Sequence, residues 1–133
     1  MSDTRAKDEA AIRAVLAGIY QAWGNDADAF VAEYTEDATA ILPGSYRRSK
    51  EEVRQSMADG FASFLKGSTT NDEIRSIRFL GKDAAVVVSK TGILFPGETE
   101  VPADRVANAT WVLEKCNEKW LLAAYHNSPA NAG

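Results

Sequence analysis

Between Ala6 and Trp23 the apolar residues Ile12, Val15, Leu16, Ile19, Tyr20 and Trp23 recur at i, i+3, i+4, i+7, i+8 and i+11, which is one stripe of an amphipathic helix. Gly24-Asn25 stops it. Asp26 is expected to cap a short second helix with Phe30, Val31 and Tyr34 on its apolar side. Glu36-Asp37 then precedes Ala38–Leu42, a short strand halted by Pro43-Gly44, and Ser45–Arg48 reads as a polar loop. Ser49 and Glu52 stand at S-x-x-E spacing, a capping box that opens a third helix. Val53, Met57, Phe61, Phe64 and Leu65 form its apolar face, and Gly67-Ser68 ends it.

After Gly67 the period changes from helical to alternating. Ile74, Ile77, Phe79 and Leu80 lie in a β-type segment, followed by a turn at Gly81-Lys82. Ala84–Phe95 is rich in β-branched residues and long enough to cross a sheet. Pro96-Gly97-Glu98 turns the chain, Arg105–Lys115 is the next strand, Cys116–Lys119 the next turn, and Trp120–Pro129 the last strand. Consecutive hairpins make a mostly antiparallel sheet. Helices first and strands second predict an α+β fold: a cone-shaped, curved antiparallel sheet wrapped around N-terminal helices, with a pocket between the two layers.

Strand alternation nominates the pocket walls. On the last strand alternation puts Leu122, Ala124 and His126 on one face and Leu121, Ala123, Tyr125 and Asn127 on the other, and small Ala124 leaves room beside His126, the sole histidine. A histidine in an apolar pocket is held neutral and can accept a proton; the alternative is a core or dimer-interface histidine satisfied by a backbone carbonyl. Tyr20 offers a hydroxyl to a carbonyl oxygen, and Trp23 sits beside it; core packing is the alternative for both. Met57 and Phe61 from the third helix, Thr91 from the long strand and Trp111 from the next complete the expected substrate-binding wall. Asp37 reads as a turn-capping residue or an acid, and Arg105 as a carboxylate clamp or a solvated rim cation.

Composition narrows the function. At 133 residues the chain is expected to be one domain, 1–133, with a core at about 8–129 and a flexible C-terminal tail. With 45% hydrophobic residues it can build a core without staples. A net charge of -4 argues against a nucleic-acid surface, and the basic cluster Arg47-Arg48 with Lys50 reads as a solvated loop. One cysteine, Cys116, allows no internal disulfide, and neither a signal-peptide core nor a membrane-length apolar run is present, so a cytoplasmic protein is expected. One His and one Cys make no zinc site, no acidic cluster has calcium-loop spacing, and there is no glycine-rich phosphate loop or nucleophile elbow. No metal and no cofactor are therefore expected, and the expected partner is a hydrophobic small molecule.

Three passages carry a resemblance to a known family: Tyr34-Thr35-Glu36-Asp37-Ala38, the capped helix from Ser49, and Trp120 to Ser128. Together they resemble the nuclear transport factor two-like, or SnoaL-like, superfamily with its cystatin-like fold, which includes ketosteroid isomerases, scytalone dehydratases and polyketide cyclases. The ending Ala124-Tyr125-His126-Asn127-Ser128 after Thr110-Trp111-Val112-Leu113 is most similar to the SgcJ/EcaC-type branch of enediyne and other polyketide pathways. By position, Tyr20 matches the oxyanion-donor tyrosine of the isomerases. Their base aspartate falls on Leu42, and their second acid falls in Ala107-Asn108-Ala109-Thr110, so the isomerase mechanism is not implied. The resemblance implies one of two classes. One is a cofactor-independent enzyme or accessory protein acting on an apolar polyketide intermediate alongside other biosynthetic enzymes. The other is a non-catalytic binding or dimeric interaction module. Val86, Val88, Val106 and Val112 on the outer sheet face are expected to pair two copies in a symmetric homodimer.

Overall fold

The computed structural model of the protein describes residues 2–131, and side chains from Arg5 onward. Helix α1 (Ser2–Gln21) carries the predicted stripe, with Ile12, Leu16 and Ile19 buried. Gly24, at φ 80°, turns the chain into α2 (Ala27–Phe30), and Asp26 caps α2 by accepting from the backbone N–H groups of Asp28 and Ala29. Helix α3 (Lys50–Phe61) is capped by Ser49, which accepts from the Glu52 N–H at 3.2 Å. Glu52 returns its carboxylate to the N–H of Arg48 at 2.8 Å, one residue outside the box position. The helix stops at Phe61, earlier than its apolar pattern suggested, and Leu65 is buried from the following turn while Phe64 stays exposed.

Six strands form one open sheet in the order β2-β1-β6-β5-β4-β3. They are β1 (Tyr34–Leu42), β2 (Ser45–Arg47), β3 (Thr69–Phe79), β4 (Ala84–Leu94), β5 (Ala107–Cys116) and β6 (Lys119–Pro129). The β1–β6 pair is parallel, and the other four pairs are antiparallel. The helices pack on the concave face, where Ala85, Val87, Ala109, Trp111, Leu113 and Leu122 are buried. The fold is α+β, as the order of patterns implied.

Two segments differ from expectation in ways that shape the site. Ser45–Arg48 is not a loop: Pro43-Gly44 makes a two-residue turn with Gly44 at φ 77°, and β2 pairs back on β1 with Arg47 opposite Ala40. Arg105 lies not in a strand but in a 3₁₀ turn, Ala103–Arg105.

Bulges reset strand parity at two further places. In β6, Val112 of β5 faces Ala124 while Leu113 faces Leu122, so Ala123 is the extra residue. One extra residue moves every later side chain to the other face. Leu122 therefore points inward with Tyr125 and Asn127, whereas Ala124, His126 and Ser128 point outward. In β3 the shift falls between Ile74 and Ser76, which lets both Ile74 and Ile77 face the core.

A buried polar contact ties α1 to the last two strands. The Trp120 indole N–H donates to Asp8 at 3.1 Å, and Lys115 Nζ lies 3.2 Å from the same carboxylate. The C-terminal segment is tied down as far as Asn131: Ala130 donates its N–H to Val106, and the Asn131 amide donates to the Ala103 carbonyl. The fraying expected at Ala132 and Gly133 lies outside the described residues. Among the described residues no helix is long and apolar enough to cross a membrane.

Candidate functional site

A cavity of about 290 Å³ opens between the helices and the concave face of the sheet. That is close to the lower limit, roughly 300 Å³, of sites that hold drug-sized molecules. Its walls are mainly apolar, and its polar side chains fall into two groups flanking Trp111.

The first group centres on Tyr20 at the C-terminal end of α1. Its hydroxyl donates to Asp72 Oδ1 at 2.9 Å and lies 3.2 Å from Thr91 Oγ1. Asp72 reaches it because Thr70, Asp72 and Ile74 share the inward face of β3, opposite Ile93, Thr91 and Ser89 of β4. Burial raises the Asp72 carboxyl above the usual aspartate range, against the bonds from Tyr20, Ser89 and Thr91 that lower it. Burial likewise pushes the Tyr20 phenol far up, so it keeps its proton at neutral pH. Trp111 stands beside this pair, its indole N–H donating to buried Ser89 Oγ at 3.0 Å and its ring edge-on to Tyr20 at 5.8 Å.

The second group lies across β2, β1 and β6. Arg47 projects from the β2 edge over the cavity, with Nη1 3.2 Å from Met57 Sδ and Nε buried without a partner. Tyr34 and Tyr125 line the same region. Burial raises both phenols, Tyr125 to about 12, so both remain protonated donors. Asn127 donates its amide to Tyr125 Oη at 2.9 Å.

Of the residues nominated from sequence, Tyr20, Trp23, Met57, Thr91 and Trp111 meet around this cavity. Four do not. His126 is exposed on the outer face, beside Thr110 and Ile41, because the Ala123 bulge turns it over. Ala124 turns out with it, opposite Val112. Leu122 is inward but fully buried beneath the cavity, and Phe61 packs behind its wall, edge-on to Trp23 at 5.5 Å and to Phe30 at 5.9 Å. Asp37 is exposed and accepts from the Thr35 hydroxyl. Arg105 does line the cavity, but its guanidinium is consumed by the chain itself. It donates to the Ile93 carbonyl, pairs with Glu98, and lies over the Phe95 ring.

Sequence reasoning missed Arg47, Tyr125, Asn127 and Asp72. Alternation run backwards from Ile74 reaches Asp72 and Thr70, so that signal was present. Reading Pro43-Gly44 as a hairpin turn would likewise have set Arg47 opposite inward-facing Ala40. Among the described residues no group of three or more His, Cys, Asp or Glu side chains is arranged to hold a metal ion.

The profile of the SnoaL-like domain family matches residues 12–132, nearly the whole chain. The chain belongs to the SnoaL-like domain family. Solved structures agree on the fold. A domain of unknown function with a cystatin-like fold from Nostoc punctiforme is 26% identical, with a TM-score of 0.87 over 95% of this chain and 79% of that one. A protein of unknown function from Shewanella oneidensis, resembling nuclear transport factor two, is 22% identical, with a TM-score of 0.76 over 91% of this chain and 98% of that one. A ketosteroid isomerase-like protein from Erwinia carotovora is also 22% identical, with a TM-score of 0.70 over 92% of this chain and 96% of that one. No functionally curated protein matches the sequence. Within this SnoaL-like chain a carboxylate, Asp72 on β3, is bonded to cavity-lining Tyr20, while Leu42 stands before Pro43.

Proposed function

We propose that this protein is a small-molecule pocket protein that acts, independently of any cofactor, on an apolar polyketide-like intermediate. The observation that carries the reading is the Tyr20–Asp72 pair at the wall of a mainly apolar cavity. Tyr20 touches the ligand. When a C–H or O–H proton of the ligand moves to Tyr20 Oη, the phenol's own proton moves along its existing hydrogen bond to Asp72. The ligand becomes an enolate or alkoxide, Asp72 becomes a neutral acid, and the reverse transfer returns the proton at another position. A raised Asp72 carboxyl suits this role, since a base works best when its pKa approaches the working pH. The same reading places a second copy of the chain on the outer sheet face, and other biosynthetic enzymes supply and consume the ligand.

2-Tetralone, a bicyclic ketone with acidic C–H bonds, is a suitable probe. Its hydrogens α to the carbonyl should exchange with deuterium faster in the presence of the protein, as read by NMR. Tyr20→Phe and Asp72→Asn should each slow that exchange by about 100-fold or more, the scale of acid–base catalysis, while quenching of cavity tryptophan fluorescence still reports binding. Binding with exchange at the buffer rate would sink the catalytic part.

One observation favours a second reading, a ligand-binding module. The ionisable side chains that line the cavity itself are tyrosines and arginines, whose charge states are fixed at neutral pH, and Asp72 lies one bond behind Tyr20. In that case 2-tetralone binds, and neither variant changes its fate.

A further inference from the structure

Among the described basic residues that are not exposed, Arg47 is the one outside any ion pair. Arg13, Arg48, Arg54, Arg75 and Arg105 each stand in an ion pair with a carboxylate. Arg47 does not figure among the ion pairs of the described residues, although it lines the mainly apolar cavity as Arg105 does, and Arg105 is paired with Glu98. The Arg47 Nη1 meets only a thioether, a weak acceptor, and its Nε–H is buried and unbonded. A guanidinium taken out of water without an anion is costly, and nothing in the fold requires the cost: β2 is a three-residue edge strand, and a neutral side chain of similar length would fill the same space. The missing anion fits a ligand. A guanidinium presents paired N–H groups that match a carboxylate. Two protonated phenols, Tyr34 and Tyr125, line the cavity beside it. Asn127 occupies an acceptor position of the Tyr125 oxygen and leaves its O–H free to donate.

We propose that Arg47, with Tyr125 and Tyr34, forms an anion subsite, so that the ligand of this cavity is an apolar molecule bearing a carboxylate. The inference rests on the pocket reading above and adds the chemical class of the ligand. It also orients it: the carboxylate lies under the β1–β2 hairpin, and the apolar body runs past Trp111 toward Tyr20.

The probes are 2-naphthoate and its neutral isostere 2-naphthamide, titrated into the full chain with tryptophan fluorescence and calorimetry as readouts. The wild type should bind the acid about tenfold or more tightly than the amide, the effect of one charge-assisted contact. Arg47→Met should abolish that preference while leaving the amide's affinity within about twofold. Equal affinities in the wild type, or a preference for the acid that survives Arg47→Met, would overturn the anion subsite and leave the pocket reading standing. Failure of both probes to bind at millimolar concentration would remove the pocket reading and this inference together. The ligand-free unfolding midpoint gives an independent check. Replacing an unpaired, half-buried cation by an apolar side chain should raise it. A lowered midpoint would mean that Arg47 is structural.

Discussion

At the scale of the residue, two aspartates, Asp8 buried and Asp72 half-buried, behave in opposite ways. Asp8 is held below the usual range by the Trp120 indole N–H first and by Lys115 next, against the burial that raises it. It therefore supports the fold above its unfolded pKa and loses that support as pH falls through the lowered folded value. Asp72 is raised by burial, so its carboxylate form is disfavoured in the native state, and its contribution is present in acid and lost as pH rises through the folded value. Asp8→Ala should thus cost about 1–3 kcal/mol at pH 7, since it leaves a buried indole N–H without an acceptor, and the difference from wild type should shrink in acid. Asp72→Asn should be neutral or stabilising at pH 7, and any gain should fade at low pH. Denaturant titrations at pH 7 and pH 3.5 would check both, and Asp72→Asn destabilising at pH 7 as much as Asp8→Ala would contradict this assignment.

At the scale of the element, single residues that break a period decide what the site contains. His126→Ala should leave binding of a cavity probe unchanged, because the Ala123 bulge has already turned that ring to the outer face. A loss of binding measured by tryptophan fluorescence would show that the bulge does not persist in solution. The helices were legible in the sequence because the stripe of α1, the Asp26 cap and the Ser49 cap are local signals, complete within a few residues. The existence of every strand but β2 was legible for the same reason, and so were Thr91 and Trp111, which lie on strands paired with each other in unbroken register. His126, Ala124, Tyr125 and Asn127 were misassigned because a bulge is set by the neighbouring strand, and nothing within Leu121–Tyr125 marks Ala123 as unpaired. Another tertiary constraint sits at Gly92. A Cβ there would stand 2.5 Å from Val101 Cγ1, because the segment after β4 folds back over that backbone. Gly92→Ala should cost about 1–3 kcal/mol by overpacking, and Val101→Ala on the same chain should recover much of it, a coupling that a double-mutant cycle would measure.

At the scale of the whole molecule, the sheet has two faces and the helices cover one. On the other, Val86 pairs with Val112, and Val112 with Ala124, so three adjacent strands present a continuous apolar band. Val88 opposite Thr110 extends it, and partly exposed Ile41 lies beside His126 on β1. All of these residues keep some exposure in the single chain, whereas their inward neighbours Val87, Trp111 and Leu122 have essentially none. Contiguous apolar surface of this kind is unusual on a monomer, and a twisted sheet face can meet its own copy about a two-fold axis. The proposed homodimer therefore uses this face and leaves the cavity of each copy open on the opposite side. Light scattering at micromolar concentration should give twice the chain mass of 14.4 kDa. Val112→Glu places a charge at the centre of the band, where pairing would bury it twice, and should return the mass to that of one chain. Because Val112 points away from the cavity, the monomer should still bind 2-naphthamide with unchanged affinity. A wild-type mass of one chain would remove the dimer. A Val112→Glu monomer that no longer binds the probe would mean that pairing across this face holds the cavity in shape.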